Sequence, residues 1–180
     1  FYTAYDALEV DDIFIQAISD KIPGTTSFLS EEQISATNDR TFAGASNWSN
    51  GNGSNTTNDF DSYNETGGGV LTVIPNDDGS NRQFCVLDED NWVDADGDAE
   101  AMVAGRTYRL QYQLIIPSFT SGTLSVGFSD DSFNMTAKSA YTSGQTVQTE
   151  TLDFVYTSNH TKIIIDAAVS TVFTAIFDNF

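Results

Sequence analysis

The sequence predicts an all-β protein, a jelly-roll β-sandwich with a short N-terminal helical segment. Three observations carry that expectation. Several stretches alternate apolar and polar residues with a period of two, most clearly "RTYRLQYQLII" at 106–116, the pattern of a strand with one buried and one wet face. Polarity comes from Ser, Thr, Asn and Gly, because charged residues make up only 18% of the 180; that composition suits short strands joined by many turns. Seven or eight such strands with polar turns between them indicate a sandwich rather than a helical or parallel α/β fold.

Residues 1–35 read differently from the rest. Asp11 is placed to cap a helix, and Val10, Phe14, Ala17 and Ile18 then fall on one stripe at helical spacing, stopped by Pro23 and Gly24. A single three-turn amphipathic helix is unstable alone, so its apolar face must dock on the sandwich or on another chain. Phe1, Tyr2 and Tyr5 add apolar surface beside it. The expected organisation is therefore an attachment segment, 1–35, followed by a sandwich domain, 36–180.

The strands follow in order. "VLTVI" (70–74) lies between a triple glycine and "PNDDGSN", a strong turn signal, and "RQFCVL" (82–87) is next. In 106–116, Tyr108, Leu110, Tyr112, Leu114 and Ile116 line one face, and Thr107, Arg109, Gln111 and Gln113 the other. "GTLSVGF" (122–128) and "TETLDFVY" (149–156) repeat that alternation, and "KIIIDAAV" and "TVFTAIFDNF" complete the set. The long irregular stretch 47–69 and the acidic turn 88–100 are expected to meet the outside.

The formal charge is −19, from 26 acids against 7 cations. Seven cations with no cluster among them cannot neutralise a useful number of phosphates, so nucleic acid is disfavoured as a partner. An anionic membrane surface would repel the chain for the same reason, and no apolar run reaches the length of a membrane span. The lone Cys85 sits in an apolar strand and forms no intramolecular disulfide.

Catalytic chemistry is poorly supplied. The single histidine, His160, lies in a polar turn, and no strained nucleophile turn of the G-x-S-x-G type is present. Zinc has too few ligands, and "ETGGGV" lacks the Lys and helix of a phosphate loop. The chain is expected not to be an enzyme.

"NDRTFAGASNW" (38–48), "AGRTYRLQYQL" (104–114) and "AIFDNF" (175–180) resemble, in order and spacing, the carbohydrate-binding-module type of jelly roll, also called galactose-binding-domain-like. Such modules occur in phage virion proteins and in secreted glycoside hydrolases. The resemblance implies a structural Ca2+ near the closing strand, with Asp178 as a ligand and Asp39 as the nearest second one. The family's opening Phe-Glu is Phe42-Ala43 here, and the alternative for Asp178 is a carboxylate bonded to backbone amides. "DADGD" at 94–98 resembles the start of a calcium loop but departs from it, since its glycine comes too early; a solvated acidic turn is the simpler reading.

Aromatics in loops are the remaining contact candidates: Trp92 in the acidic turn, and Phe60 and Tyr63 in the long stretch. Sugar sites stack pyranose faces on such rings. Trp48 falls at a position that is core in the family. Two readings of function follow. The first is a non-catalytic virion structural protein, such as a phage capsid-decoration, head-fibre or tail protein. It would join other virion subunits through residues 1–35, plausibly as a trimer, and would face host glycans at the virion surface. The alternative is a carbohydrate-binding module of a secreted polysaccharide-degrading enzyme.

Overall fold

The computed structural model of the chain describes residues 34, 36–51, 58–64, 69–75, 81–91 and 102–180. The helix expected within 1–35 lies outside these residues, as do Trp92 and the rest of the acidic turn to residue 100.

Among the described residues ten strands follow one short α-helix, α1 (Thr37–Thr41): β1 (Ser49–Asn50), β2 (Ser62–Asn64), β3 (Leu71–Ile74), β4 (Gln83–Asp88), β5 (Thr107–Ser121), β6 (Leu124–Ser129), β7 (Met135–Tyr141), β8 (Gln145–Val155), β9 (Lys162–Ala167) and β10 (Val172–Asp178). They form two antiparallel five-stranded sheets, ordered β1-β4-β9-β6-β7 and β2-β3-β10-β5-β8. The β-sandwich expected from the alternation is therefore the fold. Three strands had not been read from the sequence. β1 and β2 are too short to show a period, and β7, "MTAKSAY", has almost no large apolar residue to mark its inner face.

The second sheet behaves as its pattern predicts. On β5, Leu110, Tyr112, Leu114 and Ile116 are buried between the sheets, and Arg109, Gln111 and Gln113 lie on the opposite face. Asp178 belongs to the same outward set of β10 and lies across from Gln113. A charge in an apolar closing strand thus follows from alternation alone. The closing strand pairs with β3 and β5 rather than with the first strand, which belongs to the other sheet.

Phe180 is tied to α1 and to Trp48 by an aromatic cluster. The Phe180 ring lies 4.9 Å from Trp48 and 5.3 Å from Tyr112, and the Phe180 amide donates to the Arg40 carbonyl at 3.2 Å. Trp48 is core, as its place in the motif implied. Ile34 also packs into this core.

The first sheet departs from simple alternation. β6 is buried at every position and β4 at all but the last, so this sheet is covered on its outer side as well. A second, smaller apolar cluster of Phe84, Val86 and Ile164 sits there beneath Phe133 and Met135. Gly127, on the outward side of β6, is needed for this closeness. A Cβ at that position would lie 2.0 Å from the Ala137 carbonyl oxygen and 2.7 Å from Lys138 Cα. Gly127→Ala is expected to cost about 1–3 kcal/mol, as overpacking does, read as a lower urea midpoint. An unchanged midpoint would show that β7 shifts outward without cost.

Candidate functional site

The outer face of the β1-β4-β9-β6-β7 sheet carries apolar and charged side chains together. Register places Asp88, Lys162 and Ser129 side by side in one row across β4, β9 and β6. Phe84, Asp166 and Ser125 form another row, and Val86, Ile164 and Gly127 the row between them. The period of two that sends Cys85, Ile163 and Ile165 into the main core sends these residues outward.

Three of the chain's seven cations converge here. Arg82, just ahead of β4, pairs through Nε with the Asp166 carboxylate. Its Nη1 donates to the Phe133 carbonyl at 2.7 Å, and its guanidinium lies 5.2 Å from the Phe84 ring centre. Lys162 Nζ pairs with Asp88, lies 3.7 Å from Asp131 and stands 5.7 Å from the Phe133 ring centre. Lys138, on β7, completes the set through its field on Asp166.

Burial pushes the Asp166 carboxyl above the usual carboxylate range, and Arg82 and Lys138 pull it back only in part. Burial also opposes the charge of Lys162, but Asp88 and Asp131 outweigh it and hold the ammonium above its ordinary value. The face is therefore a set of matched opposite charges around an aromatic pair.

The β6–β7 turn, residues 130–134, folds over this face as a strap. Phe133 N donates to the Asp130 carbonyl at 2.9 Å and Asp130 N to the Asn134 carbonyl at 3.0 Å. The Asp130 carboxylate accepts the Asn134 amide at 2.8 Å and the Ser132 amide at 2.9 Å, and these bonds hold it below its ordinary range. The backbone turns by placing Phe133 in the left-handed region, φ 61°. Its ring centre lies 4.8 Å from that of Phe84, the planes inclined at 30°.

The aromatics expected to meet a ligand are not on this face. Phe60 is only 3% exposed and belongs to the main core. The Asn50 side chain clasps its backbone, accepting from Phe60 N at 2.9 Å and donating to Phe60 O at 3.1 Å. That burial corrects the expectation for Phe60: a ring inside the sandwich offers no stacking surface. Tyr63, on β2, is half-buried against the same core and belongs to the other sheet. Trp92 lies outside the described residues.

Asp39 and Asp178, the Ca2+ ligands that the resemblance implied, are each held by asparagine amides. Asp39 is fully buried, and its two oxygens accept from Asn47 N at 2.6 Å and Asn47 Nδ2 at 2.9 Å. Asp178 accepts from Asn179 N at 2.8 Å and Asn179 Nδ2 at 3.1 Å. Among the described residues no three His, Cys, Asp or Glu side chains gather as a metal site, whereas Ca2+ takes six to eight oxygens. Amide donors do for these carboxylates what a cation would do. The melting temperature is expected to be the same in Ca2+ and in EGTA; a rise of several degrees with Ca2+ would show that the carboxylates re-aim toward a metal.

His160 is structural. It is 4% exposed, ringed by Phe128, Phe154 and Tyr156, and its Nδ1 accepts the Thr157 amide at 2.9 Å. Burial lowers its pKa below the ordinary value. As pH falls below about 6.5, the unfolded chain takes the proton first, so the stability present at neutral pH declines as pH drops through the folded-state value. The parent should lose melting temperature between pH 7 and pH 5, and His160→Gln should flatten that slope. Equal slopes would mean the imidazole is solvated in the folded state.

Sequence reasoning missed Arg82, Asp88, Lys162, Asp166 and Phe133. Two signals for them exist in retrospect. "KIIIDA" carries a carboxylate inside an apolar strand, and "DDSFN" puts a phenylalanine where a tight turn favours glycine.

No protein-family model matches the sequence, and no curated protein matches it. Solved structures similar to this chain include a mutant of CBM29-2, a family 29 carbohydrate-binding module, with a TM-score of 0.44 and 12% identity over 66% of this chain and 71% of that one. A CBM4 structure has a TM-score of 0.44 and 15% identity over 80% of this chain and 94% of that one. The β-sandwich itself is established by this chain's own two five-stranded sheets.

Proposed function

We propose that the chain is a non-catalytic carbohydrate-binding domain, with the outer face of the β1-β4-β9-β6-β7 sheet as its ligand face. The observation that carries this reading is the convergence of Arg82, Lys138 and Lys162 with Asp88, Asp131 and Asp166 around the Phe84–Phe133 pair. A pyranose presents an apolar C–H face and a belt of hydroxyls that both donate and accept hydrogen bonds. Aromatic surface flanked by matched ammonium, guanidinium and carboxylate groups offers partners for both.

Affinity electrophoresis through gels containing hydroxyethylcellulose, xylan, galactomannan or laminarin tests the reading. At least one polysaccharide should retard the protein, and Lys162→Met should reduce the retardation. Free migration through all four, by the parent and by Phe133→Gly alike, would end it.

A virion setting is a second reading, favoured by the amphipathic pattern of Val10, Phe14, Ala17 and Ile18. On that reading residues 1–35 join other subunits, plausibly as a trimer, and the sandwich faces outward; otherwise the domain belongs to a secreted enzyme. Light scattering on the full chain and on a chain beginning at Gln33, which keeps the buried Ile34, separates the two. A trimer that becomes a monomer supports attachment, and two monomers oppose it.

A further inference from the structure

The strap over the proposed ligand face uses the groups a sugar would use. Phe133 stacks on Phe84, its carbonyl accepts from Arg82 Nη1 at 2.7 Å, and Lys162 Nζ stands over its ring. Phe84, covered by Arg82 and Phe133, is almost wholly buried although it points away from the main core.

The closed strap also carries two costs. Phe133 occupies the left-handed position of a tight hairpin turn, where glycine or asparagine is favoured and a bulky residue is disfavoured. In the row of Asp88 and Lys162, next to the strap, the Ser129 hydroxyl is fully buried, and among the described residues its Oγ meets no hydrogen-bonding partner, an arrangement proteins generally avoid. Backbone strain at such a position persists only when something compensates it, and the compensation here is the Phe84 stack with its two cations.

We propose that the β6–β7 strap is an intramolecular stand-in for the ligand, and that Phe133 must withdraw before a sugar ring can stack on Phe84. This rests on the outer sheet face being the sugar site. Withdrawal relieves the Phe133 backbone, uncovers Ser129 Oγ as a hydrogen-bonding group, and returns Arg82 and Lys162 to an incoming hydroxyl. The apparent affinity of the parent is then reduced by the fraction of molecules with the strap open.

Phe133→Gly tests this, because glycine suits the turn and removes the ring; Phe133→Asn, also tolerant of that backbone, replaces it if the first variant fails to fold. The circular dichroism spectrum should match the parent's. Affinity for the polysaccharides named above should rise about tenfold or more, matching a strap closed at least nine-tenths of the time. Binding by the parent with equal or weaker binding by a folded variant overturns the strap proposal and leaves the site reading standing. No binding by either protein overturns both. Binding by the variant alone supports both.

Discussion

Alanine in place of Trp48 is expected to cost about 3–5 kcal/mol, the range for removing a large aromatic from a core. Trp48 is 3% exposed, its indole nitrogen donates to the Asp39 carbonyl at 2.8 Å, and its ring contacts Phe42 and Phe180. Three losses coincide in the variant: a large cavity, a buried carbonyl without its donor, and the contact that holds the chain's end against α1. Phe180→Ala should reproduce only the third, together with a smaller cavity, and so should cost less. The two residues touch, so the double variant should cost less than the sum of the singles. Chemical denaturation of the four proteins decides the matter; a Trp48→Ala cost below about 1 kcal/mol would mean the tail does not close the sandwich.

Arg82→Ala should be the most damaging change on the outer face, near the lower end of about 3–5 kcal/mol because the guanidinium is partly wet. Its partner Asp166 is nearly buried and already sits above its ordinary range, and without Arg82 it rises further. A carboxyl raised in the folded state adds stability that is full below about 3.9 and is lost as pH rises through the folded value. The deficit of Arg82→Ala should therefore be greatest near pH 7 and shrink toward pH 4. Adding Asp166→Asn removes the unpaired charge and should recover much of the loss at pH 7. A deficit that ignores both pH and Asp166→Asn would assign the cost of Arg82 to its bond with the Phe133 carbonyl.

These two predictions mark where the sequence could and could not be read. The Trp48 site was legible in half: a tryptophan ten residues into the opening motif is core by the resemblance, whereas Phe180 shares the outward register of Asp178 and its ring lies in the core with Asn179 in the left-handed region, φ 51°. The outer-face site was not. Arg82, Asp88, Asp131, Lys162 and Asp166 are spread over 85 positions of sequence, and each alone reads as a solvated charge. Only antiparallel register makes Asp88, Lys162 and Ser129 neighbours. Phe60 failed in the opposite direction. It stands in a polar, glycine-rich stretch that reads as surface, yet Asn50 bonds both of its backbone polar groups and lets its ring be buried.

Composition and a period of two were enough to determine an all-β sandwich and the identity of most of its inner face, because alternation is a local property that each strand displays by itself. Tertiary structure alone decided that one sheet carries a second covered face, that Asp39 and Asp178 meet asparagine amides, and that a turn phenylalanine lies on Phe84. Those outcomes depend on which strands lie side by side and on how far a turn folds back. Neither is a local property of the chain.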